Sequence, residues 1–231
     1  MKNSFVKSAF IRSLPVMAGY VVLGIGFGIL LGEAGFGPAW AIVFSLLVFA
    51  GSMQFVGVSL IAGGASVLVT AMTTLMVNAR HIFYSVSMYD MYRSAGKKKP
   101  LLIFTLTDET YSLLCDGKTP EGCAPHSWRL LVSLFNYSYW VLGSFLGGLL
   151  GQIIPFDTTG IDFSMTALFV TVFVEQWVST KEHRPALLGV AATLLCLVVF
   201  GQEIFLIPSM VLITLALTAL RPSLEGGATH E

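Results

Sequence analysis

The chain has 231 residues, 55% of them hydrophobic and only 11% charged, with a formal net charge of zero and a mean hydropathy of +0.79. Soluble domains are about 25% charged, so this composition describes an all-α integral membrane protein. Zero net charge leaves no electrostatic footprint for a nucleic-acid partner, and the three cysteines, Cys115, Cys123 and Cys196, have neither disulfide-framework nor metal-ligand spacing.

A spanning helix needs about 20 largely apolar residues. Residues 14–32 supply the first, preceded by Lys2, Lys7 and Arg12. Its apolar run exceeds a signal-peptide core, and no small-residue cleavage site follows. The second span is 40–62. Within it, "VFAGSMQF" (48–55) places Gly51, Ser52 and Gln54 in mid-helix. Glycine weakens a helix, and serine competes for backbone hydrogen bonds. The expectation is a local break that frees backbone N–H and C=O groups at membrane depth. Such groups are tolerated only where protein or trapped water satisfies them, and they are the groups that hold the carboxylate and ammonium of an amino acid.

The third span, 66–89, carries "VNARHIFYS" in the middle of an apolar run. A bare charge on a membrane helix costs roughly 2.5–3.5 kcal/mol on insertion scales. Thr70, Thr74, Asn78, His81 and Ser85 recur at steps of three and four. They form one polar stripe, which must face other helices or a wet cavity. Arg80 points to another side, where Tyr84 at i+4 offers a cation–π contact. Asp108 or Glu109 could also offset its charge if the segment 101–114, "LLIFTLTDETYSLL", tucks back against this helix. That segment is short for a crossing and is read as an interfacial or re-entrant helix, with Lys97, Lys98 and Lys99 as a solvated face before it.

Further spans at 130–152, 161–178, 186–200 and 205–220 bring the count to about seven. Asp162 begins one of them as an N-cap or dipole partner. With the N-terminus outside, nine Lys and Arg residues fall inside and three outside, in line with the positive-inside rule. An eight-span, N-inside alternative, in which 101–114 crosses, puts eight inside and four outside.

"YVVLGIGFGILLGE" (20–33) aligns without gaps on "YWVLGSFLGGLLGQ" (139–152), with eight of fourteen positions identical. Gly24, Gly28 and Gly32 match Gly143, Gly147 and Gly151, two stripes suited to close helix packing. Under the seven-span count the second copy is inverted, an architecture common in secondary transporters; under eight spans it is parallel. The organisation is then one membrane domain: repeat one at 14–89, a connecting segment at 90–129, repeat two at 130–200 and a final helix at 204–220.

No HExxH, GxSxG or phosphate-loop pattern occurs, so neither an enzyme, a metal site, a cofactor nor ATP hydrolysis is expected. Each polar residue also has a plain alternative: Asn78 and Gln54 as interhelical glue, Arg80 as a structural ion-pair partner, His81 as a hydrogen-bonded core histidine.

"LVFAGSMQF" (47–55), "VNARHIFY" (77–84), "LTDETYSLL" (106–114) and "IDFSMTALF" (161–169) together resemble the motifs of the AzlC/YgaZ/BrnF family. The resemblance covers about residues 14–220. It implies the large subunit of a bacterial inner-membrane exporter of valine, leucine, isoleucine and in some cases methionine, driven by the proton-motive force. It also implies a small hydrophobic partner of the AzlD/YgaH/BrnE type. It picks out Gly51, Ser52, Gln54, Asn78, Arg80, His81, Asp108, Glu109 and Asp162. From these, Gly51, Ser52, Gln54 and Asn78 are expected to bind substrate; Asp108, Glu109 or His81 are the candidates for proton coupling. Rival readings are a membrane subunit of an ATPase-energised importer and a passive channel.

Overall fold

The computed structural model describes residues 2–153, 182–202 and 204–225, with single positions at 163, 166, 167, 170, 173, 174, 177 and 178. Asp162 and most of the expected span 161–178 lie outside the described residues. The elements are α1 (Lys2–Glu33), α2 (Pro38–Leu47), α3 (Gly51–Ala62), α4 (Val67–Asn78), α5 (Arg80–Tyr92), a 3-10 turn (Gly96–Lys98), α6 (Lys99–Phe104), α7 (Asp108–Leu114), α8 (Pro125–Ile153), α9 (Arg184–Phe200) and α10 (Leu206–Glu225). Helix α1 extends back to Lys2, with Pro15 inside it. Residues 5–33 of α1 and the whole of α8, 29 residues each, are long and apolar enough to cross a bilayer.

The glycine stripes bring α1 and α8 together. A Cβ added at Gly28 would lie 2.2 Å from the Ser144 carbonyl oxygen, and one at Gly147 would lie 2.1 Å from that of Ile25. Only residues without a side chain allow this approach, and dispersion between the two backbones is the return. The contact is tightest there and opens toward Gly32, whose added Cβ would find its nearest neighbour, Gly151 Cα, at 4.0 Å.

Direction follows from the pairings. Trp128 Nε1 donates to Ser8 Oγ, Ser13 Oγ meets the Tyr139 hydroxyl, Gly24 faces Gly143 and Gly28 faces Gly147. Residue numbers rise together, so α1 and α8 run parallel. The inversion expected between the two glycine segments does not hold for these helices. The cause is the second expected span, which does not cross.

Residues 40–62 form two half-helices. α2 descends along α8, from Pro38 against Gly148 to Ser45, whose hydroxyl donates to Ser144 Oγ at 2.8 Å. The chain turns through the non-helical Val48 and Ala50. α3 then rises beside α1, from Gly51 against Trp140 to Phe55 against Phe27. Gln54 reaches back to Ser45 and Gly57 lies over Phe44, as an antiparallel hairpin requires. The break comes just before the expected Gly51–Ser52. Gly51 opens α3 in helical conformation, and its missing side chain makes room for Trp140, since a Cβ there would sit 2.9 Å from the indole.

Residues 101–114 are likewise re-entrant, as two helices rather than one. Lys98 bonds to Ser127 at the start of α8, and Phe104 packs on Tyr137. The tip is Thr105 to Thr107; α7 then returns, with Thr110 bonded by Asn136 and the Leu113 carbonyl by Arg12. α4 leads off beside the end of α3, helical bonding lapses at Ala79, and α5 ends at Tyr92 packed with Ala9 and Trp128. The long helices α1 and α8 and the pair α4–α5 therefore surround two hairpins that enter from opposite ends. Helices α9 and α10 pack on each other, and α10 touches α4.

This topology also corrects the charge distribution. Lys7, Arg12, Arg93, Lys97, Lys98, Lys99, Lys118 and Arg129 all lie at the end where α1 and α8 begin. No Lys or Arg lies at the opposite end among residues 5–153. The split of three outside against nine inside, which required an N-terminus outside, is not what the fold produces.

Candidate functional site

The two hairpin tips meet at half depth. They line a cavity with Tyr20, Leu23, Phe49, Ala50, Gly51, Ser52, Arg80, His81, Thr107, Asp108, Glu109 and Trp140. Arg80 is the centre of it. Its Nη1 lies 2.9 Å from Asp108 Oδ2, and its Nη2 donates to Ser52 Oγ. The half-buried charge is thus offset by the carboxylate of the second hairpin and a hydroxyl of the first. Position does the rest: Arg80 is the first residue of α5, directly after Ala79.

Each tip supplies a helix N-terminus. At α3, Ala50 is the N-cap and no side chain caps the helix, and the first-turn residues Gly51 and Ser52 line the cavity. Amides at that position carry the positive end of the helix dipole. At α7 the arrangement differs. Thr107 Oγ1 caps the Thr110 N–H at 3.2 Å, and Asp108 and Glu109 occupy the first turn. One wall therefore presents uncapped donors and the other presents acids.

Glu109 is held from α1. The Tyr20 hydroxyl donates to Glu109 Oε2 at 2.7 Å and lies 2.6 Å from Thr107 Oγ1. Asn136 Nδ2 on α8 donates to Thr110 Oγ1 at 3.0 Å, next to Thr107. The polar chain from Glu109 thus reaches both crossing helices. His81 lines the cavity, and its Nδ1 is 3.1 Å from the Asn78 carbonyl oxygen.

Six of the expected residues come together here: Gly51, Ser52, Arg80, His81, Asp108 and Glu109. Two do not line the cavity. Gln54 is fully buried behind it; its Oε1 accepts from Trp140 Nε1 at 2.6 Å and its Nε2 donates to Ser45. Asn78 lies behind the Arg80 turn, its buried Oδ1 without a hydrogen-bond partner among the described residues. Asp162 is not among the described residues. Of the polar stripe, Ser85 is exposed. Tyr20, Thr107 and Trp140 also line the cavity and were not among the expected residues. A tyrosine and a tryptophan inside apolar helices need partners for their O–H and N–H, and that need was the available signal.

The cavity offers about 30 Å³ to a water-sized sphere, whereas ligand sites usually provide about 300–1,000 Å³. It is a narrow site with room for water. No His, Cys, Asp and Glu grouping that could hold a metal ion occurs among the described residues.

The AzlC protein family model matches residues 15–154, the stretch that contains both hairpins and all of these groups. The chain belongs to the AzlC family. Relatives extend the match over nearly the full length. The branched-chain amino acid transport protein AzlC of Bacillus subtilis is 42% identical over 219 residues, covering 95% of this chain and 86% of that protein. An uncharacterized membrane protein of Helicobacter pylori is 39% identical, covering 95% and 96%. The inner membrane protein YgaZ of Escherichia coli is 28% identical, covering 95% and 91%. No solved structure matches. AzlC-family membership makes this a membrane transport protein, and the family match spans the stretch where the geometry gathers its polar groups.

Proposed function

We propose that this chain exports branched-chain amino acids from the cytoplasm across the inner membrane, coupled to proton entry and in company with a small hydrophobic subunit of the AzlD type. The observation that carries it is the meeting of two opposed half-helix tips with Arg80, Asp108 and Glu109 at half depth. Such groups are costly inside a bilayer and mark an ion or substrate route. A zwitterion suits the two walls: its carboxylate takes the Arg80 guanidinium beside the uncapped first turn at Gly51 and Ser52, and its ammonium takes the acids of α7. Leu23, Phe49 and Trp140 face the aliphatic side chain. Glu109, linked to Tyr20, is the proton-coupling carboxylate, with His81 as its neighbour across the cavity. Gln54 and Asn78 support the walls.

The basic end of the molecule is cytoplasmic by the positive-inside rule, which puts the N-terminus inside. The test is efflux of labelled leucine from vesicles with an imposed pH gradient and no ATP, with and without the small subunit. Gradient-driven efflux that requires the partner is expected; efflux only with ATP would overturn the reading.

A further inference from the structure

Arg80 touches both hairpins at once. One arm reaches Ser52, in the first turn of α3, and the other reaches Asp108, in the first turn of α7. The two hairpins enter from opposite ends of the molecule, and Arg80 belongs to neither. It stands on the pair α4–α5, where helical bonding lapses at Ala79. While both arms are engaged, the tips are tied to one helix and the space between them offers a water-sized sphere about 30 Å³. That space does not admit an amino acid, so entry requires the tips to part and at least one arm to let go.

We propose that Arg80 is a latch between the two hairpin tips, and that the substrate's carboxylate releases it by taking Asp108's place on the guanidinium. On the guanidinium the exchange is even, one carboxylate leaving as another arrives, and the Asp108 carboxylate it frees is met by the ligand's own ammonium. No charge is left unpaired at membrane depth, so the lock opens for a zwitterion and stays shut for an apolar or purely cationic ligand. Only a ligand that favours the open state shifts the balance. The substrate half of this inference rests on the amino-acid transport reading; the latch itself does not.

The test uses the full-length protein in lipid vesicles, with Cys115, Cys123 and Cys196 replaced by serine and Ala50→Cys placed on the cavity wall. Modification by a membrane-impermeant thiol reagent reports opening. Without ligand, Asp108→Asn and Ser52→Ala, which cut one arm each, are expected to speed modification about tenfold, the factor that about 1.4 kcal/mol of lost closure corresponds to. Rates equal to the parent in both variants would overturn the latch; should one variant fail to fold, the other decides. With ligand, leucine is expected to speed modification in the parent, and leucinol, which lacks the carboxylate, is not. Equal effects of the two would overturn carboxylate release. Leucine counterflow in the parent is measured in parallel, so loss of the transport reading is seen separately from loss of the latch.

Discussion

At the level of single residues, space and pairing decide what each position tolerates. Gly28 and Gly32 belong to the same sequence stripe, yet only Gly28 is pressed against backbone. Gly28→Ala is therefore expected to destabilise the protein by about 2 kcal/mol, within the range for overpacking, while Gly32→Ala changes little. Thermal unfolding in detergent checks this, and equal effects would contradict the packing. Gln54→Leu removes the acceptor of Trp140 Nε1. A buried donor left unpaired costs about 1–3 kcal/mol, so lower stability is expected ahead of any change in substrate affinity. Glu109→Gln keeps the shape and the Tyr20 contact but removes the titrating group. Leucine counterflow is expected to persist while acceleration by a pH gradient disappears; a variant that still responds to the gradient would remove Glu109 from proton coupling.

Among the helices, the re-entrant hairpins explain both the successes and the failures of sequence reasoning. The break near Gly51 and the re-entrant character of 101–114 were visible, because glycine, serine and paired acids are costly in a continuous apolar helix. The offset of Arg80 by Asp108 was foreseen as one of two carboxylates. What was hidden is that 40–62 turns back. By composition a half-helix pair and a full span are alike, both being about 20 apolar residues. The difference lies in partners: Tyr137 donates to the Leu46 carbonyl oxygen at 2.8 Å beside the turn, a contact 91 residues apart that no local pattern announces. Tyr137→Phe is expected to loosen this tip by about 0.5–1.5 kcal/mol, the usual worth of one hydrogen bond. Faster hydrogen exchange confined to residues 46–52 would show it, and unchanged exchange would deny the contact's role.

For the molecule as a whole, miscounting that one hairpin reversed everything downstream. Seven crossings put Lys7 and Arg12 outside and made the glycine segments mirror images. The fold instead gathers the basic residues at one end and sets α1 and α8 side by side in the same sense. Shared glycine spacing was legible as close packing; its direction was not, since direction depends on the parity of crossings. A cysteine at position 7 is expected to react with an impermeant maleimide only after cells are permeabilised, and one at the exposed Ala39 to react in intact cells. The reverse pattern would place the basic end outside.

The long separation between α1 and α8 also has a consequence for biogenesis. The groove that receives α2 and α3 has one wall made early by the ribosome and another made more than 90 residues later. Until that second wall is inserted, the hairpin has no tyrosine for its Leu46 carbonyl and no indole over Gly51. Nascent chains stopped short of α8 should therefore be recognised by quality-control proteases as unfinished, however hydrophobic they already are.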